Sequence, residues 1–87
     1  MYLHLGNDIV VRKSAVLAVF DLDNSSASRL TRDFLSRAQR RGEVVNAAGD
    51  ELPKSFVLCQ EGGAQRVYLS QLNSSTLLKR SESPGLE

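Results

Sequence analysis

Ala15-Val-Leu-Ala-Val-Phe-Asp-Leu-Asp-Asn-Ser-Ser26 decides how this chain folds. Its first six residues are apolar without interruption. The run is too short for an ordinary helix and holds two valines and a phenylalanine, so it predicts a strand buried on both faces. Asp21, Asp23, Asn24 and the two serines then supply turn and helix N-cap chemistry. A central strand feeding directly into a capped helix is expected.

Working outward, the residues from Ser26 to Arg41 predict that helix, with Asp23 or Asn24 as its cap and Gly42 as the left-handed residue past its end. At 100° per residue, Ala27, Leu30, Thr31, Phe34, Leu35 and Ala38 gather on one face. Arg29, Arg32, Ser36 and Arg40 lie opposite with Asp33 among them, and Arg37 and Arg41 fall at the edge. Upstream, Tyr2-Leu3-His4-Leu5 alternates, Gly6-Asn7 predicts a hairpin turn, and Asp8 to Arg12 returns as a strand. Lys13-Ser14 links it to the apolar run.

Downstream, Glu43 to Ala47 predicts a short strand and Gly49-Asp50 a turn, with Leu52-Pro53 forced to be extended. Ser55 to Gln60 is again apolar on both faces, and Gly62-Gly63 joins it to a partner strand over Arg66 to Leu72. Asn73-Ser74-Ser75 caps a short helix, Thr76 to Arg80. The fold class is α+β: a small, mostly antiparallel sheet or partly open barrel with one main helix and a short C-terminal helix. Residues 1–80 form a single domain, and the polar residues 81–87 read as a disordered tail in which Leu86-Glu87 is a cloning remnant.

Composition narrows the chemistry. The 87 residues are 41% hydrophobic and 24% charged with a formal net charge of +1, ordinary values for one globular domain that do not announce a nucleic-acid binder. The single cysteine, Cys59, rules out an intramolecular disulfide and a cysteine-based zinc site, and its apolar setting makes it a buried small hydrophobe. No apolar stretch is long enough to span a membrane and no signal peptide is evident, so a cytoplasmic protein is expected.

Phe20-Asp21-Leu22-Asp23 resembles the first motif of haloacid-dehalogenase-type phosphatases, in which paired carboxylates at a strand end hold magnesium. No later acidic pair completes such a site, and Ser25-Ser26 departs from the pattern, so the aspartates read as residues that end a strand and favour the positive end of a helix dipole. Asp21-x-Asp23-x-Ser25 also opens like a calcium loop, but Ser26 and Arg32 stand where glycine and glutamate are required. His4 is the lone histidine, and Gly62-Gly63 lacks the lysine of a phosphate loop. The chain reads as a non-enzyme with no cofactor or metal.

Charge is unevenly placed. Between Asn24 and Gly42 five arginines meet one acid, and Arg12-Lys13 and Lys79-Arg80 form further basic clusters. The guanidinium fork suits phosphate oxygens. Two strands apolar on both faces with one substantial helix also leave apolar surface to spare, which predicts assembly with a second subunit.

Four separated blocks resemble one family: Met1-Tyr-Leu-His-Leu-Gly-Asn-Asp-Ile-Val-Val11, Phe20-Asp-Leu-Asp23, Leu52-Pro-Lys-Ser-Phe-Val57 and Ser74-Ser-Thr-Leu-Leu-Lys-Arg80. They are similar to the RemB (YaaB) family of extracellular matrix regulatory proteins from spore-forming Gram-positive bacteria, related to the DNA-binding regulator RemA. The resemblance implies a LytTR-like fold, a ring-shaped homo-oligomer, and double-stranded DNA bound chiefly through its backbone. Together with the basic clusters it points to Arg12, Lys13, Lys54, Lys79 and Arg80 as phosphate contacts, with Arg29, Arg32 and Arg40 as an alternative patch. Where the RemA branch carries an arginine pair, this chain has Gly49-Asp-Glu-Leu-Pro-Lys54. That acidic loop and the near-neutral charge suit an alternative function, an interaction module that docks on a related regulator such as RemA without binding DNA itself.

Overall fold

Ser55-Phe-Val-Leu-Cys-Gln-Glu61 forms a strand that is paired on both edges and packed on both faces. The structure is a computed structural model that describes residues 2–22 and 29–82. Its elements in chain order are β1 (Tyr2–Gly6), β2 (Ile9–Arg12), a single 3-10 turn (Lys13–Ala15), β3 (Val16–Asp21), α1 (Arg29–Arg40), β4 (Val44–Asn46), β5 (Ser55–Glu61), β6 (Ala64–Ser70) and α2 (Ser74–Glu82). Strands β3, β5, β6 and β4 make one sheet in that order, antiparallel except for the parallel β4–β6 pair, and β1 and β2 make a separate antiparallel hairpin. The sheet is open rather than closed into a barrel, and the α+β expectation holds.

Because successive side chains alternate across a strand, β5 feeds two cores. Phe56 joins Ala38 and Val67 in the layer under α1, with Phe34, Leu35, Val44, Leu58 and Leu69 around them. Val57 and Cys59 join Leu3, Leu5, Val11, Ala47, Tyr68 and Leu77 on the other face, where the β1–β2 hairpin and α2 cover the sheet. The molecule is therefore three layers: α1, the four-stranded sheet, then the hairpin with α2.

The stretch expected to be central is instead at the edge. β3 has β5 as its one strand neighbour, no residue of it is fully buried, and Leu17 and Phe20 are 58% and 37% exposed. A bulge at Leu17, between the pairs Val16–Cys59 and Ala18–Leu58, sends that side chain to solvent. The helix does not cover β3 either, since α1 packs over β5, β6 and β4. Leu30, expected on the buried stripe, consequently stands 80% exposed above the β3 edge.

Two turns show how local sequence sets the frame. The first hairpin turns at Asn7-Asp8, one residue later than expected, with both residues left-handed (φ 48° and 61°), the geometry of a type I′ turn. At the far end of α1, Gly42 (φ 73°) lets its N–H donate to Gln39 O at 3.1 Å while Glu43 N–H donates to Ala38 O at 2.9 Å. This is a Schellman motif, and it satisfies carbonyls the helix end would leave bare. α2 begins and ends two residues beyond the expected limits, with Asn73 Oδ1 accepting from Thr76 N–H at 2.8 Å as its cap. The cap expected at Asp23 or Asn24 and the tail 83–87 lie outside the described residues.

Candidate nucleic-acid interface

The strand register decides which basic residues can act together. Arg12 ends β2, and Lys13 opens the 3-10 turn that carries the chain from the hairpin to β3. Arg12 is exposed and lies beside two open clefts, one shared with Tyr2, Lys13 and Ser14, the other with Gln60, Glu61 and Gly62. Arg12 and Lys13 therefore sit at the end of the sheet where β5 turns into β6. Lys54 immediately precedes β5 at its opposite end, where its N–H donates to Ser70 O at 2.8 Å and its carbonyl accepts from Leu22 N–H at 2.9 Å. Eight residues of extended chain separate Lys54 from Gly62, roughly 25 Å. A single subunit does not bring Lys54 to Arg12.

Lys79 and Arg80 lie in the last turns of α2, in the same layer as the hairpin, the first exposed and the second half-buried. Basic side chains there also favour the negative end of the helix dipole. Arg29, Arg32 and Arg40 are all exposed on α1, across the sheet. With layers packed about 10 Å apart, the outer face of α1 stands roughly 20 Å from the hairpin layer. The two groups of predicted contacts thus face opposite sides, and one straight duplex cannot touch both on one subunit.

Arg66 belongs with the Arg12 end, and inspection of charge clusters alone misses it. The register pairs it with Cys59, one residue pair short of Gln60–Gln65 and two short of the Glu61–Ala64 turn. Its neighbour Tyr68 donates through Oη to Glu61 Oε1 at 3.0 Å. The period-2 pattern Arg66, Tyr68, Ser70 was the available signal.

Local electrostatics do not point to catalysis. Burial, reinforced by the charge of Glu61, pushes the Cys59 thiol up to about 11, so it is a neutral packing group. Burial also raises Tyr68, to about 12, with its hydrogen bond to Glu61 adding to the effect. Asp21 is half-buried opposite Ser55 at the end of β3, while Asp23 lies outside the described residues. Among the described residues no three His, Cys, Asp or Glu side chains gather as metal ligands would. No described helix is long and apolar enough to cross a membrane.

On α1, Asp33 forms no ion pair with Arg29 or Arg37 among the described residues; the ion pair at that helix's end joins Arg41 Nη1 to Glu43 Oε1 at 3.8 Å. The arginine face is therefore not neutralised by its one acid.

Comparison with known proteins bears on the whole domain. A family model described as RemA-like, extracellular matrix regulatory protein A-like, matches residues 2–80. Extracellular matrix regulatory protein B of Bacillus subtilis (strain 168) is 37% identical over 82 residues, spanning 94% of this chain and 91% of that protein.

Proposed function

The chain belongs to the RemA-like family of extracellular matrix regulatory proteins, and from that premise we propose that it is a non-enzymatic, cytoplasmic transcriptional regulator of matrix genes that binds double-stranded DNA as a homo-oligomer. The observation that supports this most directly is the placement of Arg12 and Lys13. They occupy the corner joining hairpin and sheet, with Arg66 at the same sheet end. Such a corner presents cations in a fixed geometry, which suits contacts to the phosphate backbone more than base reading. Lys79 and Arg80 extend this hairpin-side surface, Lys54 adds a cation at the other end, and Arg29, Arg32 and Arg40 form the alternative face.

Titration of a labelled duplex from a matrix-gene promoter at several salt concentrations tests the reading. Affinity is expected to fall steeply with salt, each phosphate contact adding about 0.9 to the logarithmic slope. Arg12→Glu with Lys13→Glu should weaken binding on every sequence and flatten that slope by about 2 per subunit engaged. Arg29→Glu with Arg32→Glu should change it less. Undiminished binding by both double variants would refute the assignment.

A second reading has its own observation. The exposed acidic pair Asp50-Glu51 repels phosphate and precedes an exposed Leu52, a surface suited to protein. A regulator that docks on a relative such as RemA, with no DNA affinity even at low salt, would match that surface.

A further inference from the structure

Leu52 and Leu30 are the most exposed large apolar side chains among the described residues, at 84% and 80%. Their settings are complementary. Leu30 forms one wall of an open cleft of about 220 Å³, completed by Phe20, Thr31, Phe34, Phe56 and Leu58. Its floor is the ring stack of Phe20 on Phe56, with centroids 4.7 Å apart. Apart from the Thr31 hydroxyl the lining offers water little to bond to, so apolar contents are favoured.

Leu52 is a knob on a braced loop. Asn46 Oδ1 accepts from Ala48 N–H at 2.9 Å and its Nδ2 donates to Gly49 O at 3.1 Å. Glu51 N–H donates to Ala48 O at 3.2 Å, and Lys54 is tied to Ser70 and Leu22 on the far side. Pro53 restricts Leu52 to extended geometry. Both ends of the loop being held, Leu52 loses little further freedom on docking.

Charge matches as well. The exposed acids Asp50 and Glu51 precede the knob, while α1, one wall of the cleft, carries Arg29, Arg32, Arg37 and Arg40 against Asp33. Arg37 lies one turn beyond Phe34 and two beyond Leu30, on the same side of α1.

We propose that Leu52 of one copy seats in the Phe20–Leu30–Phe34–Phe56–Leu58 cleft of a second copy, with Asp50 and Glu51 set against the arginines of α1. This rests on the homo-oligomer reading and names the contact that makes it. Every copy carries one knob and one cleft, which allows a head-to-tail contact that repeats from subunit to subunit and closes into a ring where the rotation permits. One leucine and two acids bury far less than the ~1,600 Å² of a standard interface. Each contact is thus weak, and closure reinforces it through effective concentration.

Light scattering coupled to size exclusion, without DNA, tests this on the full chain. Wild type is expected to assemble beyond a dimer. Leu52→Asp and Leu30→Asp, both at exposed positions and checked for native circular dichroism, should each be monomeric. Their equimolar mixture should stop at a dimer, since one intact knob meets one intact cleft. Asp50→Arg with Glu51→Arg should raise the association midpoint by at least about tenfold in concentration, and adding Arg37→Glu should recover part of it. Wild-type mass in either leucine variant would overturn the knob-and-cleft contact while leaving DNA binding and another interface standing. A wild type that stays monomeric would overturn self-assembly itself, again without touching the DNA titration.

Discussion

Replacing Ser70 with alanine should cost this domain a large share of its stability, although only one oxygen is lost. Ser70 is fully buried, and its Oγ donates to Leu5 O at 2.6 Å and accepts from Leu72 N–H at 3.1 Å. One hydroxyl thereby ties β1 to the end of β6 and to the loop leading into α2. Alanine takes away the hydroxyl that meets a buried carbonyl and a part-buried N–H, at roughly 1–3 kcal/mol each. A total of about 2–4 kcal/mol is expected, against roughly 4–13 kcal/mol for a chain of this length. At about 4–8 °C per kcal/mol, Tm should fall by at least ~8 °C. Ser55 supplies the internal comparison: it is equally buried but makes one such bond, donating to Leu72 O at 2.7 Å. Ser55→Ala should therefore cost about half as much. Urea unfolding followed by far-UV circular dichroism, with unchanged m-values, measures both. The reasoning fails if Ser70→Ala lies within about 0.5 kcal/mol of wild type, or if Ser55→Ala is the more damaging of the two.

Gly42→Ala should lower stability by about 1–2 kcal/mol through backbone strain alone, because φ is 73° and an added Cβ would meet nothing within 4 Å. Asparagine at the same position should cost less, and equal stability of all three chains in urea would contradict the left-handed cap. Stability should also decline at alkaline pH. Cys59 and Tyr68 are raised from 9.0 and 10.0 to about 11 and about 12 in the fold. Each therefore contributes fully below its unfolded value, and that contribution is lost as pH rises through the folded value. Urea midpoints measured between about pH 8 and 11 should fall, with a smaller fall in Cys59→Ala; a rising midpoint would be inconsistent with neutral burial of both groups.

Much of the fold is legible because it is local. The turn at Gly62-Gly63, the first hairpin turn to within one residue, the Gly42 cap, the Asn73 cap and the helix stripe of Phe34, Leu35 and Ala38 all follow from residues near one another in the chain. The rank of the strands does not. Val16–Asp21 and Ser55–Glu61 have similar apolar patterns, but one is at the edge and the other at the centre, because sheet order depends on partners far along the chain. Leu30 follows the same rule in reverse: its helical position promises burial, yet the helix covers β5, β6 and β4 and leaves that residue over the exposed side of β3. The apolar surplus anticipated from two double-faced strands is largely absorbed within the chain, since the hairpin and α2 cover the second face of β5. What remains uncovered is narrower and more specific, the cleft beside Leu30. Basic clusters were similarly legible as composition, whereas their separation onto opposite faces and opposite strand ends required the register.

That separation gives a near-neutral chain a route to binding a polyanion. A formal charge of +1 offers a duplex little attraction as a sum, but electrostatics across a Debye length of about 8–10 Å respond to the local arrangement. Arg12, Lys13 and Arg66 gather at one sheet end, while Asp50 and Glu51 sit beyond the other. In a head-to-tail assembly the acidic loop of each subunit would be covered by the arginine helix of the next, leaving the Arg12 corners repeated and uncovered. The acids that weaken a single subunit's attraction for phosphate would then organise the assembly, and the repeated corners would supply the contacts that one subunit lacks. The acidic loop is thus compatible with DNA binding by the oligomer even though it opposes binding by the isolated chain.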